Sequence, residues 1–200
     1  MNEPLSNRRS IRLKKYDYSQ CGYYFITICA HNREHLFGEI ISGRKMKLNN
    51  AGEMIQAIWN KIPGYYPNIL TDAFVIMPNH IHGIINTVGA DSISARTNST
   101  KRAEMDSAPT SLGTVVQMFK RYSTIEYIKM VKQHIVPAFN NRIWQRNYWE
   151  HIVRNENELN CIRDYIRLNP LKWETDKLNG GAGNVVMETS VVYGDESWMN

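Results

Sequence analysis

The run from Phe74 to Asn86, FVIMPNHIHGIIN, constrains the fold of this chain more than any other stretch. Two apolar segments meet at Pro78-Asn79, residue types that turn a chain tightly, and His80 and His82 open the second segment. Before the turn Ala73, Val75 and Met77 alternate with Phe74 and Ile76, and after it Ile81, Ile84 and Ile85 add β-branched bulk, so both segments read as strands. Residues two apart in a strand share a face, with Cα atoms roughly 6.6 Å apart. The expected hairpin therefore presents two imidazoles side by side, where they can converge on one ion. A pair of histidines that packs or meets solvent without function fits the same spacing.

The remaining chain supplies partners for this hairpin. Gly22 opens YYFITICA, an aromatic and β-branched run that reads as the first strand, and His31 and His35 follow in a polar loop. Gly38 and Gly43 mark a hairpin or loop. Met54, Ile55, Ile58 and Ile62 recur at helical spacing from Asn50 to Ile62, where Pro63-Gly64 is expected to end the helix. Ile69 to Met77 is the second strand and the His80 segment the third. Ser111 is placed to cap a second helix whose apolar face carries Leu112, Val115, Val116, Phe119 and Tyr122. Ile143 to Val153 reads as a fourth strand. Asn155 and Glu158 form a capping pattern ahead of a last helix, with Leu159, Ile162 and Ile166 as its stripe up to Pro170. This order predicts an α+β fold: a ferredoxin-like, RRM-like antiparallel sheet with two helices on one face, and an extra C-terminal helix. The expected organisation is a basic arm over 1–22 and one domain over 23–173. A flexible Ser/Thr-rich insertion falls at about 89–110, and a loosely packed or disordered tail runs over 174–200.

Composition narrows the class of partner. With 42% hydrophobic and 10% aromatic residues in 200, the chain can bury a core, which excludes disorder throughout. A net charge of +5 and a pI near 9.1 favour a polyanionic partner. Residues 8–15 carry five basic side chains and no acidic one, followed by Tyr16 and Tyr18; a solvated arm and a phosphate-binding arm with base-stacking tyrosines both fit. Cys21, Cys29 and Cys161 are scattered, without CxxC spacing, as in a reducing compartment. The N-terminus lacks the apolar core of a signal peptide, and no run approaches the ~18 apolar residues of a membrane span. A cytoplasmic location without a membrane partner is expected.

A second chemical feature sits on the last helix. Tyr165 and Asn169 are spaced i, i+4 and so project together beside the apolar stripe. If this helix packs near the histidines, Asn169 can add an oxygen ligand while Tyr165 faces whatever the ion holds. Imidazole alone suits zinc, and an oxygen ligand shifts the preference towards Mg2+ or Mn2+. Such a set carries no negative charge and leaves room for a phosphate. A phenol with a pKa near 10 is a weak nucleophile unless it loses its proton on the way to the transition state. A purely structural aromatic fits the position of Tyr165 too, and Tyr148 is a rival nucleophile.

The segments RRSIRLKKYDYSQCGYYFITICAHNREHLFGEI, VIMPNHIHGIIN, SLGTVVQMFKR and WQRNYWEHIVRNENELNCIRDYIRLNPLKW resemble the REP-associated tyrosine transposases, within the single-tyrosine HUH transposases. The resemblance covers most of residues 8–173 apart from the insertion. It implies an HUH endonuclease fold, His80 and His82 as metal ligands with Asn169 as a further ligand, and Tyr165 as the nucleophile in preference to Tyr148. It also implies cleavage and rejoining of single-stranded DNA near hairpins through a 5′-phosphotyrosine, with a divalent ion as the one cofactor. Arg12, Lys14, Lys15 and Tyr16 would then contact DNA, with Lys120, Arg121 and Arg154 chosen for charge. Relatives include monomers and helix-exchanged homodimers. Two other readings fit the residues: a single-strand-binding module without catalysis, and a metal-dependent hydrolase that uses water while Tyr165 is structural.

Overall fold

The computed structural model describes residues 17, 18, 20–89 and 110–180. Arg12, Lys14, Lys15, Tyr16 and almost all of the insertion lie outside them. Six strands and three helices are present among the described residues: β1 (Gly22–Cys29), β2 (Gly38–Ile41), β3 (Lys45–Leu48), α1 (Asn50–Tyr65), β4 (Ile69–Met77), β5 (His80–Thr87), α2 (Leu112–Lys132), β6 (Trp149–Val153) and α3 (Glu156–Leu168). A 3-10 turn, Asn169–Thr175, continues from α3. The main sheet has the order β4-β5-β1-β6, antiparallel throughout, and β2 and β3 form a separate hairpin. Setting that hairpin aside, this is the expected α+β ferredoxin-like arrangement with two crossover helices.

Both faces of the sheet are covered, which is why β1 reads as an almost unbroken apolar run. On one face Tyr24, Ile26, Ile28, Ile81 and Ile85 pack with Ile55, Trp59 and Ile62 of α1 and Val115, Val116 and Phe119 of α2. On the other, Phe25 and Ile84 pack with Leu159, Ile162 and Ile166 of α3. The period-two alternation of β5 sends Ile81, Gly83 and Ile85 towards α1 and α2, and His80, His82 and Ile84 towards α3. Gly83 must lack a side chain, since a Cβ there would collide with the Trp59 ring, which is stacked on Phe74 with centroids 4.2 Å apart.

The helices start where their caps stand. The Asn49 side chain accepts from the Gly52 N–H at 3.0 Å, Ser111 Oγ from Thr114 at 3.2 Å, and Asn155 Oδ1 from Glu158 at 2.9 Å. Four local expectations need correction. Helix α1 continues through Pro63 to Tyr65, because a proline in the final turn removes only one helical hydrogen bond and Tyr66 N–H still reaches the Ile62 carbonyl at 3.2 Å. Tyr122, placed on the apolar face of α2, is 40% exposed and stacks on Tyr65. The fourth strand spans Trp149–Val153 alone. Upstream of it Trp144 only bridges to Ala30, and its indole N–H donates to Ser123 Oγ at 2.8 Å. The tail expected from 174 is packed as far as Leu178, which is 2% exposed.

Candidate metal and tyrosine site

His80 and His82 are fully buried, and their Nε2 atoms lie 3.1 Å apart. Their other ring nitrogens are anchored. Asn79 Nδ2 donates to the carbonyls of Leu178 at 2.7 Å and Arg33 at 3.3 Å, which turns Asn79 Oδ1 towards His80 Nδ1 at 2.7 Å. An amide oxygen can only accept, so the His80 proton sits on Nδ1 and the lone pair on Nε2. His82 Nδ1 is 2.8 Å from Thr27 Oγ1, its cross-strand neighbour on β1. Burial holds both imidazoles below their ordinary pKa, His82 down to about 3, so both are neutral. The Thr27 hydroxyl can accept from or donate to His82 Nδ1, so His82 Nε2–H can donate to the His80 Nε2 lone pair, or both Nε2 atoms can turn lone pairs to one cation.

Helix α3 brings Tyr165 to the same place. Its Oη is 3.4 Å from His82 Nε2, and its ring meets those of His82 and Phe25 edge-on, at 5.2 Å and 5.9 Å between centroids. Within one chain, then, the phenol and the histidines meet. The helix is fixed against β4 by Arg163, which reaches Asp72 through two hydrogen bonds of 2.6 Å and 3.1 Å. His151 Nε2 and Glu158 Oε1, 2.7 Å apart, tie its first turn to β6.

Two buried oxygens lie at the far end of the helix. Asn169 is 2% exposed, and its Oδ1 has no hydrogen-bond partner. Asp176, which sequence reasoning assigned to the tail, has its Oδ2 3.8 Å from His80 Nε2, equally unpartnered, on a side chain 8% exposed. The ligand atoms of His80, His82 and Asp176 all fall within 4.8 Å of one another. Ligands on a six-coordinate ion with bonds of about 2.1 Å are separated by about 3 Å when adjacent and about 4.2 Å when opposed. His80 Nε2 is 3.1 Å from His82 Nε2 and 3.8 Å from Asp176 Oδ2, separations inside that span, so the donor types suit a divalent ion, and Asp176 adds an acidic group to a site expected to have none. No periodicity or motif flags that residue. Cys29 pairs with His80 in register, but burial pushes its thiol up to about 11, which keeps it from acting as a thiolate.

The other sequence candidates are distributed differently. Charge alone makes Lys120 a candidate for DNA contact. Its Nζ instead donates to the carbonyls of Gln145, Arg146 and Asn147 at 2.9, 3.2 and 3.0 Å, and burial lowers its pKa to about 8. It braces the loop before β6. Arg121 and Arg154 are exposed. Tyr148 packs with the core of the α1 and α2 face, beneath Lys120. Tyr18 stands against Tyr24 rather than free to stack on a base. His31 lies in a short 3-10 turn, and His35 meets the Trp173 ring edge-on.

Comparison with known proteins gives this geometry a context. No family model matches the sequence. An uncharacterised protein of Haemophilus influenzae is 40% identical over 181 residues, which cover 88% of this chain and 96% of that one. A second Haemophilus influenzae protein, provisionally named a REP-associated tyrosine transposase, is 24% identical over 156 residues, 78% of this chain and 74% of that protein. The solved structure of a REP-associated tyrosine transposase bound to a REP hairpin superposes with a TM-score of 0.50 at 18% identity, covering 81% of this chain and 74% of that one. The chain thus belongs to one family with the 40% identical Haemophilus influenzae protein, and it shares its fold, and at a distance its sequence, with the REP-associated tyrosine transposases.

Proposed function

We propose that this protein is a metal-dependent transposase-type enzyme that cuts and rejoins single-stranded DNA beside hairpins, with Tyr165 as its nucleophile. One observation carries the reading: a tyrosine Oη 3.4 Å from one of two neutral histidine nitrogens that themselves lie 3.1 Å apart. An isolated metal site would not need the phenol, and a structural tyrosine would not need the paired imidazole nitrogens. His80 and His82 would hold Mg2+ or Mn2+, with Asn169 offering its buried oxygen. The bound ion would supply Lewis-acid polarisation of a phosphoryl oxygen and a template for the scissile bond.

The chain's own residues account for the rest. Tyr165 loses its phenolic proton to water as its oxygen attacks phosphorus. A bond from Oη to phosphorus forms, the bond from phosphorus to the 3′ oxygen breaks, and that oxygen leaves as a hydroxyl after taking up a proton. The product is a 5′-phosphotyrosine diester that conserves the bond, so a 3′ hydroxyl can reverse the step and rejoin the strand. Phe25 and the buried histidines hold the phenol in position, which contributes through orientation rather than acidity. Hairpin DNA is the partner suggested by the solved relative, a REP-associated tyrosine transposase bound to a REP hairpin. Arg12, Lys14, Lys15 and Tyr16 remain the proposed DNA contacts of the arm, with Arg121 and Arg154 as further exposed cations.

Labelled hairpin-bearing single strands incubated with Mn2+ test the proposal. A band of protein covalently joined to DNA on a denaturing gel, lost in Tyr165→Phe and in His80→Ala, is the expected result. Cleavage without an adduct would point to a water-using hydrolase, and a mobility shift without cleavage to a binding module.

A further inference from the structure

We propose that Asp176 is an anionic ligand of the ion at His80 and His82, and that it makes residues 169–179 a clasp whose closure is coupled to metal binding. The inference rests on the metal reading of the histidine pair, not on the identity of the nucleophile.

The segment is tied down by bonds that converge on the site. Asn79 Nδ2, on the residue that orients His80, donates to the Leu178 carbonyl at 2.7 Å, and Arg33 Nη1 donates to the Lys177 carbonyl at 2.9 Å. Within the segment, Asp176 N–H reaches Trp173 O at 3.2 Å and Asn179 N–H reaches Asp176 O at 3.0 Å. The Trp173 ring lies over His80, with centroids 6.1 Å apart. These contacts fold the chain back so that the Asp176 carboxyl is inserted between the clasp and the histidines.

The two oxygens of that carboxyl are treated differently. Oδ1 accepts the Leu178 N–H at 2.7 Å, whereas Oδ2 has no donor and points to His80 Nε2 at 3.8 Å. His80 Nε2 carries a lone pair, so it cannot donate to Oδ2, and two electron-rich atoms face each other across a buried gap. Arg33 spends its Nη1 on the Lys177 carbonyl. An unpaired carboxylate in such a setting is strongly penalised, and removal of the penalty by a counter-charge stabilises whatever holds the carboxylate there. A divalent cation bonded to Oδ2 and both Nε2 atoms is that counter-charge. Metal binding and clasp closure then share one free energy.

This makes an unusual prediction for Asp176→Asn, in which the side chain keeps its shape and its Leu178 bond but loses the charge. Metal binding should weaken while the metal-free clasp becomes no less closed. The test uses the full chain, with Mn2+ binding followed by the electron paramagnetic resonance signal of the free ion and clasp opening by hydrogen exchange of peptides spanning 169–179. In the wild type, Mn2+ should slow exchange of the Asp176, Leu178 and Asn179 amides at least tenfold. In Asp176→Asn, Mn2+ affinity should fall at least tenfold, and exchange in chelator should be no faster than in the wild type. Equal Mn2+ affinity in the variant, or wild-type clasp exchange that ignores Mn2+, overturns the inference. The wild-type exchange measurement decides alone if the variant folds poorly. A wild type that binds no Mn2+ defeats this inference and the metal reading together. A clasp that responds to Mn2+ in a protein that forms no DNA adduct supports the clasp and defeats only the proposed enzyme.

Discussion

Each residue of the histidine pair is fixed by a neighbour that leaves its Nε2 available. Thr27 is the partner of His82 that is simplest to remove, since valine has the same shape without the hydroxyl. Thr27→Val is expected to lower Mn2+ affinity roughly tenfold while leaving the circular dichroism spectrum unchanged, in line with the usual 10–100-fold effect of losing a ligand's outer partner. Gly83 matters for a different reason. Gly83→Ala pushes a methyl into the Trp59 ring and is expected to cost about 1–3 kcal/mol in urea unfolding, as overpacking does. The histidines were legible because strand alternation is a local rule that needs no knowledge of the fold. Asp176 was not, because its place beside His80 is decided by hydrogen bonds from Asn79 and Arg33, residues far away in sequence.

At the scale of elements, α3 delivers the phenol, and Arg163 with Asp72 sets its distance from β4. The Arg163 hydrogen bond is the main reason that the Asp72 carboxyl sits below its ordinary value. A lowered carboxyl stabilises the fold above the unfolded-state pKa of about 3.9, and the contribution is lost as the pH falls through the lower folded value. The stability gap between the wild type and Asp72→Asn should thus be constant from about pH 5 to 7 and shrink below about pH 3.9. Because the pair is partly exposed, the gap should be modest, about 0.2–1 kcal/mol. Urea titrations at several pH values measure it. Lys120→Met removes three donors to loop carbonyls and should destabilise the protein by about 1.5–3 kcal/mol. Its affinity for hairpin DNA should stay within about twofold. Capped helix starts were readable from Asn, Ser and Asn at the right spacing. Their ends were harder, because a last-turn proline is tolerated and α1 simply runs past it. Tyr122 fits the helical period of α2 yet faces outward, since period alone does not say how wide a stripe the neighbouring helix covers.

For the whole molecule, the order of strands and helices was enough to give the ferredoxin-like antiparallel sheet, as sequential strand and helix patterns leave few topologies open. The closure of the site was not derivable in the same way. It depends on α3 packing on the sheet face opposite α1 and α2, which brings Tyr165 across 83 positions to His82 in the same chain. The sequence places a phenol and two imidazoles on faces of separate elements, and only tertiary packing makes one site of them. The measurement that tests this most directly is peptide mapping by mass spectrometry after reaction with hairpin-bearing single-stranded DNA and Mn2+. A 5′-phosphonucleotide attached to Tyr165, and absent when His80 or His82 is replaced by alanine, is the expected result. Cleaved DNA with Tyr165 unmodified, or an adduct mapped to Tyr148, would contradict it.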